Sequence, residues 1–470
     1  MSPATAAAHY DAIIIGSGQG GNPLCKALAE AGWRTAIIER KYVGGTCVNT
    51  GCTPTKTMVG SARVAYMSSR AEEFGIHAQV TGVNLARILE RKNQIVMQGR
   101  TNNEKAILST KNLDLIRGDA RFTGPKSLSI KKNDGEEIHL TADTIIIDTG
   151  ERPAVPSIAG FDKLQSLPNV LDNASIMELD RVPEHLLVLG GGYIGLEFGQ
   201  MFHRFGSRVT IVQAEAQVLS HEDSDIADEV TKILREDGID ILLNAKATSA
   251  SGDKNKITLQ IQIDGKPQTG EGTHLLVAIG RTPNTDDLNL PAAGIEMDDK
   301  GCIRVNSHLE TGVPGVYAIG DVKGGPAFTH ISYDDYRVLR DNLLHGKDHT
   351  IDGRMVPYTV FIDPQLGRIG ITEKEARQQG KKFRVAKMPM TYVARAREFG
   401  ESRGLMKILV DPDSKQILGA AILGMEGGEM AAMVQLAMMG KIPYPVLVDG
   451  IFSHPTLSES LNVIFGHFED

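Results

Sequence analysis

The feature that most restricts how this chain can fold is a strand–turn–helix–strand unit that occurs twice. Residues 10–15 (Tyr-Asp-Ala-Ile-Ile-Ile) form a short apolar run of the kind buried in a parallel sheet. Gly16-Ser-Gly18-Gln-Gly-Gly21 follows, then an Ala/Leu-rich helical stretch to Ala31, then the strand-like Thr35-Ala-Ile-Ile-Glu39. At 186–200 the order recurs as Leu-Leu-Val-Leu, Gly190-Gly-Gly192-Tyr193-Ile-Gly195, a helical Leu-Glu197-Phe-Gly-Gln, and then the strand-like Arg208–Gln213. Glycines in this setting let backbone amides approach a pyrophosphate at a helix N-terminus. An acid at the end of the second strand accepts from a ribose hydroxyl. Glu39 is that acid in the first copy. The second copy ends Gln213-Ala214-Glu215, with neither an acid at the strand end nor an Arg just beyond it. Glu215 is the nearest acid and tips the balance to NADH, with NADPH left open. Two such units imply two dinucleotides on an α/β scaffold.

The most chemically loaded stretch lies between these units, at 44–56: Gly-Gly-Thr-Cys-Val-Asn-Thr-Gly-Cys-Thr-Pro-Thr-Lys. It holds Cys47 and Cys52, two of the four cysteines in the chain. Pro54 suits the first turn of a helix, so Cys52 falls at a helix N-terminus, where the macrodipole favours a thiolate. On one continuous helix, residues five apart are displaced by roughly 7.5 Å. A disulfide wants Cα atoms closer than about 7 Å. Pairing therefore needs a loop or distorted turn, which Gly51 permits. Two buried reduced cysteines, or a metal pair, are the alternatives. No Cys/His pair at zinc spacing stands nearby, and a redox-active dithiol is the preferred reading.

The rest of the chain narrows the class. Its 470 residues exceed one ordinary domain. A net charge of −8 gives no support for nucleic-acid or basic membrane-surface binding. No apolar run reaches the ~18 residues of a membrane span, and the first residues lack a signal-peptide pattern. A close cysteine pair in a cysteine-poor chain suits a reducing cytoplasm. A long polar helix is expected over 85–112, with strands at 113–122, 127–131 and 137–149. The last runs into Asp148-Thr149-Gly150. Leu275–Asn284 contains Gly280-Arg281, and Val316–Asp321 reads as a strand ending in Gly320-Asp321, an acid suited to a ribityl or pyrophosphate contact. Residues 356–470 look like a separate α+β domain, with strands at 358–362 and 405–410 and a helix near 428–440. Met425, Met430, Met433, Met438 and Met439 crowd that helix. Thioethers suit Cu(I), but methionine at helical spacing is more often core filler.

Taken together, these motifs resemble the FAD-dependent pyridine nucleotide–disulfide oxidoreductases, over nearly the whole chain from residue 9. The resemblance implies an FAD-binding domain (9–150 and 281–350), an NAD(P)-binding domain (151–280) and a dimerisation domain (351–470). It implies FAD, NADH or NADPH, and a homodimer. Gly16, Gly18, Gly21, Glu39, Gly45, Thr46, Lys56, Gly150, Gly320 and Asp321, with Gly190, Gly192, Gly195, Gly280 and Arg281, would contact cofactors. Cys52 would be the thiolate beside the flavin and Cys47 the interchange thiol. Lys56 would stand near the flavin and pair with Glu197, and Tyr193 would cover the nicotinamide pocket. His454, in His-Pro-Thr-Leu-Ser-Glu459, would be the acid–base oriented by Glu459.

Within that family the 44–56 and 190–213 stretches look like mercuric reductases. Those usually carry a C-terminal vicinal cysteine pair, a Tyr at the position of His454, and often an N-terminal metal-carrier domain. Phe328-Thr-His-Ile-Ser-Tyr333-Asp-Asp-Tyr336 looks more like the reactive-chlorine-resistance reductases associated with copper reduction. Lipoamide dehydrogenases share the dithiol and His-Pro-Thr. The expected acceptor is thus a soft metal ion, Hg(II) or Cu(II), or a small oxidant, with Cys47 and Cys52 as its candidate ligands and no resident metal. A low-molecular-weight disulfide reductase, or a redox-sensing flavoprotein, is the alternative.

Overall fold

The computed structural model of the protein describes residues 8–469. Two compact units emerge. The first gathers the described residues up to Thr57, Arg87–Ala154 and Arg281–Arg354. Its sheet has Ala8–Ile15 at the centre, parallel to both Thr35–Glu39 and Glu137–Ile147. Leu113–Gly124 continues the parallel order beyond Thr35–Glu39, and Val316–Ala318 lies parallel to Glu137–Ile147. Ser127–Lys132 links Leu113–Gly124 to Glu137–Ile147 as an antiparallel meander.

Side chains alternate along a strand, so an unbroken apolar run means both faces are covered. Ile13 and Ile15 pack on one face with Phe122, Leu128 and Ile130. Ile14 and Ile37 pack on the other, under Leu24, Cys25 and Leu28 of the helix Gly21–Glu30. Each isoleucine contributes about 1.5–3 kcal/mol on burial. The long helix spans Leu85–Ser109, three residues shorter at its end than the sequence pattern suggests. Lys111 and Asn112 form a turn there, and Asn112 takes a positive φ of 63°.

The second unit gathers Met58–Ala86, Val155–Gly280 and the described residues from Met355 onward. In its parallel sheet His185–Leu189 lies between Arg208–Val212 and His274–Val277. Asp240–Leu242 extends it beyond Arg208–Val212. A three-stranded antiparallel sheet, Ala245–Gly252, Ile257–Ile263 and Lys266–Gly272, adjoins it in sequence.

Residues from Tyr358 build a five-stranded antiparallel sheet, including Leu405–Val410, with the helix Gly427–Met439 against it. Met430 is 2% exposed in the core of this region, and Met433 and Met438 pack partly buried on it. Those methionines are packing material. Met439 is exposed.

Candidate dithiol and dinucleotide sites

The chain turns the corner between the two cysteines where the sequence demands it. A short helix, Gly45–Asn49, carries Cys47; Thr50 and Gly51 break it; a new helix begins at Cys52 and runs to Ser69. The short helix is clamped through Asn49. Its amide donates to the carbonyls of Val43 (3.0 Å) and Gly45 (2.9 Å), and its oxygen accepts from Arg100 at 2.8 Å.

Both cysteines are free thiols, Cys47 half-buried and Cys52 exposed. The Cys52 sulfur lies 3.2 Å from the Thr329 hydroxyl, at the first residue of the helix Thr329–His345. The hydrogen bond with Cys47 is the main force lowering the Cys52 thiol, to about 6; Thr329 and the Lys56 charge add to it against the effect of burial. Cys47 is pushed up by the same bond, by burial and by the charge on Cys52. The pair is therefore asymmetric, with one sulfur charged near neutral pH and one holding its proton.

The first glycine turn packs tightly. Gly16 takes a φ of +100°, and a Cβ there would meet the Asp148 carbonyl at 2.2 Å. A Cβ on Gly18 would meet the Asp148 carboxylate at 2.7 Å, and one on Gly21 would meet the Gly16 carbonyl at 2.6 Å. Gly45 closes onto the same turn, since a Cβ there would lie 2.7 Å from the Gly18 Cα. Glu39 accepts from the Ser17 N–H (3.2 Å) and hydroxyl (2.6 Å), and from the Lys41 N–H (2.8 Å). Asp148 accepts from Gly21 N–H at 2.8 Å. Burial is the main cause that holds its carboxyl well above the usual range; Asp321, Asp335 and Glu39 add to it.

Gly320 N–H donates to Asp335, which also pairs with Lys323 (3.2 Å) and Arg354 (2.6 Å). Burial likewise raises Asp321, opposed by Arg281 and Lys323. Arg281 donates to the Glu151 carbonyl at 2.7 Å. Gly150, at a φ of +64°, lies where the strand leaves this turn. Thr46 is exposed on the short helix, and its carbonyl accepts from Thr50 N–H. Closing this tightly without Cβ atoms brings the turn's backbone amides together at a helix N-terminus, the setting a dinucleotide pyrophosphate needs, and the residues here fit FAD.

The second turn repeats the backbone. Gly190 takes a φ of +112°, and a Cβ there would meet the Ala278 carbonyl at 2.4 Å. A Cβ on Gly195 would lie 2.1 Å from the Gly190 carbonyl, whereas one on Gly192 would meet nothing within 4 Å. Gly280 carries a φ of +128°. Tyr193 opens the following helix, 36% exposed, and Glu197 is buried with its carboxylate accepting from Phe361 N–H at 2.8 Å.

His454 and Glu459 stand together in the second unit, Nδ1 to carboxylate at 2.9 Å. Among the described residues no group of three or more His, Cys, Asp or Glu side chains is arranged to hold a metal ion. Thr329 and Asp148 join the sites through the fold alone. Each meets its partner from a distant part of the chain, and neither has a local signal.

A thiol pair polarised at a helix N-terminus, in a chain with two dinucleotide turns, defines a nucleotide-dependent dithiol oxidoreductase. The chain belongs to the pyridine nucleotide-disulphide oxidoreductase family: residues 10–335 match that family's model, and 356–463 match its dimerisation domain. Members of the family are enzymes that use FAD and NAD(P)H, and this chain is an oxidoreductase of that class. It is 40% identical to the probable pyridine nucleotide-disulfide oxidoreductase RclA of Escherichia coli (strain K12), covering 97% of this chain and 98% of that one. It is 32% identical to a mercuric reductase of Lysinibacillus sphaericus, covering 97% of this chain and 82% of that one. The solved Cu(II) complex of the HOCl-induced flavoprotein disulfide reductase RclA from Escherichia coli matches with a TM-score of 0.88 and 39% identity, over 97% of this chain and 99% of that one.

Proposed function

We propose that this protein is an NAD(P)H-dependent flavoprotein that passes electrons through its Cys47–Cys52 pair to Cu(II), Hg(II) or a small oxidant. The observation that carries the reading is the geometry of the pair: Cys52 opens its helix, exposed and 3.2 Å from the Thr329 hydroxyl, with its thiol lowered to about 6 chiefly by the bond with Cys47. The copper complex of one relative and the mercuric reductase activity named for another support a soft-metal acceptor.

Gly16, Gly18, Gly21, Glu39, Gly45, Thr46, Lys56, Gly150, Arg281, Gly320 and Asp321 are the residues proposed to hold FAD, within residues 9–150 and 281–350. When bound, FAD supplies the two-electron relay between nicotinamide and thiols. Gly190, Gly192, Gly195 and Gly280 would hold the nicotinamide nucleotide within 151–280, with Tyr193 and Glu197 on the helix that follows. Cys52 keeps the negative charge, helped by Thr329 and Lys56. When the pair gives up two electrons, Cys47 loses its proton and one S–S bond forms. His454, oriented by Glu459, is proposed to take that proton in a homodimer assembled through 351–470. The exposed Leu436, Met439, Val446 and Ile451 in that region suit such an interface. No helix among the described residues is long and apolar enough to cross a membrane, and a cytoplasmic location without nucleic-acid or membrane partners is proposed.

A second reading has its own observation. The His454–Glu459 dyad is what a proton-demanding disulfide acceptor such as lipoamide requires. Turnover of Cu(II), Hg(II), lipoamide and glutathione disulfide, each with NADH and NADPH, separates the two. Lipoamide turnover more than about a hundredfold above that of either metal would sink the metal reading. Cys52→Ser should abolish the long-wavelength absorbance that a thiolate gives against oxidised flavin.

A further inference from the structure

We propose that Gln213 makes the second dinucleotide site tolerant of a 2′-phosphate, so that this enzyme draws electrons from NADPH as well as NADH. The inference rests on the reading that the nicotinamide nucleotide occupies the Gly190–Gly195 turn.

Backbone register identifies Gln213 as the counterpart of Glu39. In the first unit the Gly16 N–H donates to the Ile38 carbonyl at 2.9 Å; in the second the Gly190 N–H donates to the Val212 carbonyl at 2.9 Å. The next residue is Glu39 in one case and Gln213 in the other. Each side chain reaches back to the amide between the first two glycines, Ser17 N–H at 3.2 Å and Gly191 N–H at 2.9 Å.

The chemistry at the two positions differs. A carboxylate at this place accepts from a ribose hydroxyl and repels a phosphate on the same carbon. Gln213 carries no charge. Its oxygen is spent on Gly191 N–H, and its nitrogen donates to the Gln217 carbonyl at 3.0 Å. That nitrogen has a second hydrogen. Gln213 is buried, and an uncharged amide donor serves a hydroxyl oxygen or a phosphate oxygen alike. Its orientation is fixed from both ends, because Gln217 in turn donates to the Glu222 carbonyl at 3.1 Å.

The residues that follow, Ala214-Glu215-Ala216-Gln217-Val218-Leu219-Ser220, include no Lys or Arg to reward a phosphate. Glu215, the one charge among them, is exposed, with its backbone carbonyl accepting from Asn244 N–H. The combination removes the usual repulsion without adding a clamp, so acceptance of both nucleotides follows rather than a switch to NADPH.

The test is stopped-flow reduction of the FAD-loaded protein by NADH and by NADPH. Wild type should show second-order rates within about tenfold of each other. Gln213→Glu should lower the ratio of the NADPH rate to the NADH rate by at least about tenfold, through weaker binding of NADPH. Gln213→Met, uncharged and similar in size, should keep the ratio within about threefold.

A wild-type preference beyond about a hundredfold for either nucleotide would overturn the proposal while leaving the site assignment intact. So would a Gln213→Glu ratio equal to that of wild type. Failure of both nucleotides to reduce the flavin would remove the site assignment and the proposal together. Should the Glu variant not fold, the wild-type ratio alone decides.

Discussion

Position by position, the turns at Gly16–Gly21 and Gly190–Gly195 share a backbone. The carbonyls of Ile15 and Leu189, each just before its first glycine, accept from the amides of Asp148 and Ala278, both at 2.8 Å. Three side chains set the turns apart. Ser17 corresponds to Gly191, Glu39 to Gln213, and Asp148 to Ala278. In the first turn these side chains form a brace: the Ser17 hydroxyl to Glu39, and the Asp148 carboxyl to the helix start at Gly21. In the second turn the Gln213 amide reaches in to the Gly191 N–H, and a Cβ on Gly192 would meet nothing within 4 Å. A turn that keeps its ligand through every cycle gains from being braced. A turn whose ligand arrives and leaves at each cycle gains from being open.

The strongest break of this comparison comes from the third glycine of each turn, where a side chain would strike the turn's own carbonyl. Gly21→Val should leave the purified protein nearly free of flavin. Gly195→Val should retain flavin yet slow its reduction by NAD(P)H by at least about a hundredfold, the cost of misplacing a reactant by about an ångström. Loss of flavin from both variants would show that the turns are not separate in function.

A smaller effect tests the brace. Burial, chiefly, raises the Asp148 carboxyl in the folded state. The fold therefore binds that proton more tightly than the unfolded chain does. Stability from this group is complete below the unfolded value of about 4 and is lost as pH rises through the folded one. Asp148→Asn should accordingly melt higher than wild type at pH 8, with the gain vanishing near pH 4. A gain of equal size at both values would mean that the carboxyl is not the source.

The smallest effect concerns the outlet, which only the first unit carries. In the two-electron-reduced protein the thiolate absorbance should fall to half near pH 6 as acid protonates Cys52. Thr329→Val, which removes the hydroxyl at 3.2 Å, should move that midpoint up by about one pH unit, and Thr329→Ser should restore it. An unmoved midpoint would leave the Cys47 hydrogen bond and Lys56 as sufficient causes.

Much of this architecture is written locally. Glycine spacing, flanking apolar runs and the proline after Cys52 mark both turns and the start of the dithiol helix. The need for a break between the cysteines follows from helix rise alone, and Thr50–Gly51 supplies it. What was not legible depends on pairing over distance. Thr329 reaches Cys52 across 277 positions, and Asp148 reaches Gly21 across 127. Neither residue type is unusual where it stands. The meander at 245–272 has a weak sequence signature, because its last strand, Lys266–Gly272, is almost wholly polar and mostly exposed. The direction of the Gln213 amide is set by two backbone groups, which no spacing rule encodes.

Gly51 carries a consequence for inheritance. A Cβ at this position would press on the Thr46 carbonyl at 2.9 Å and on the Thr46 Cγ2 at 3.2 Å. Every amino acid but glycine therefore pushes the two cysteine-bearing helices apart at the point where they must meet. The cysteines announce themselves to any reader of the gene, yet the spacing between them rests on a residue with no side chain. A lineage could keep both thiols and still lose their partnership through one nucleotide change at codon 51.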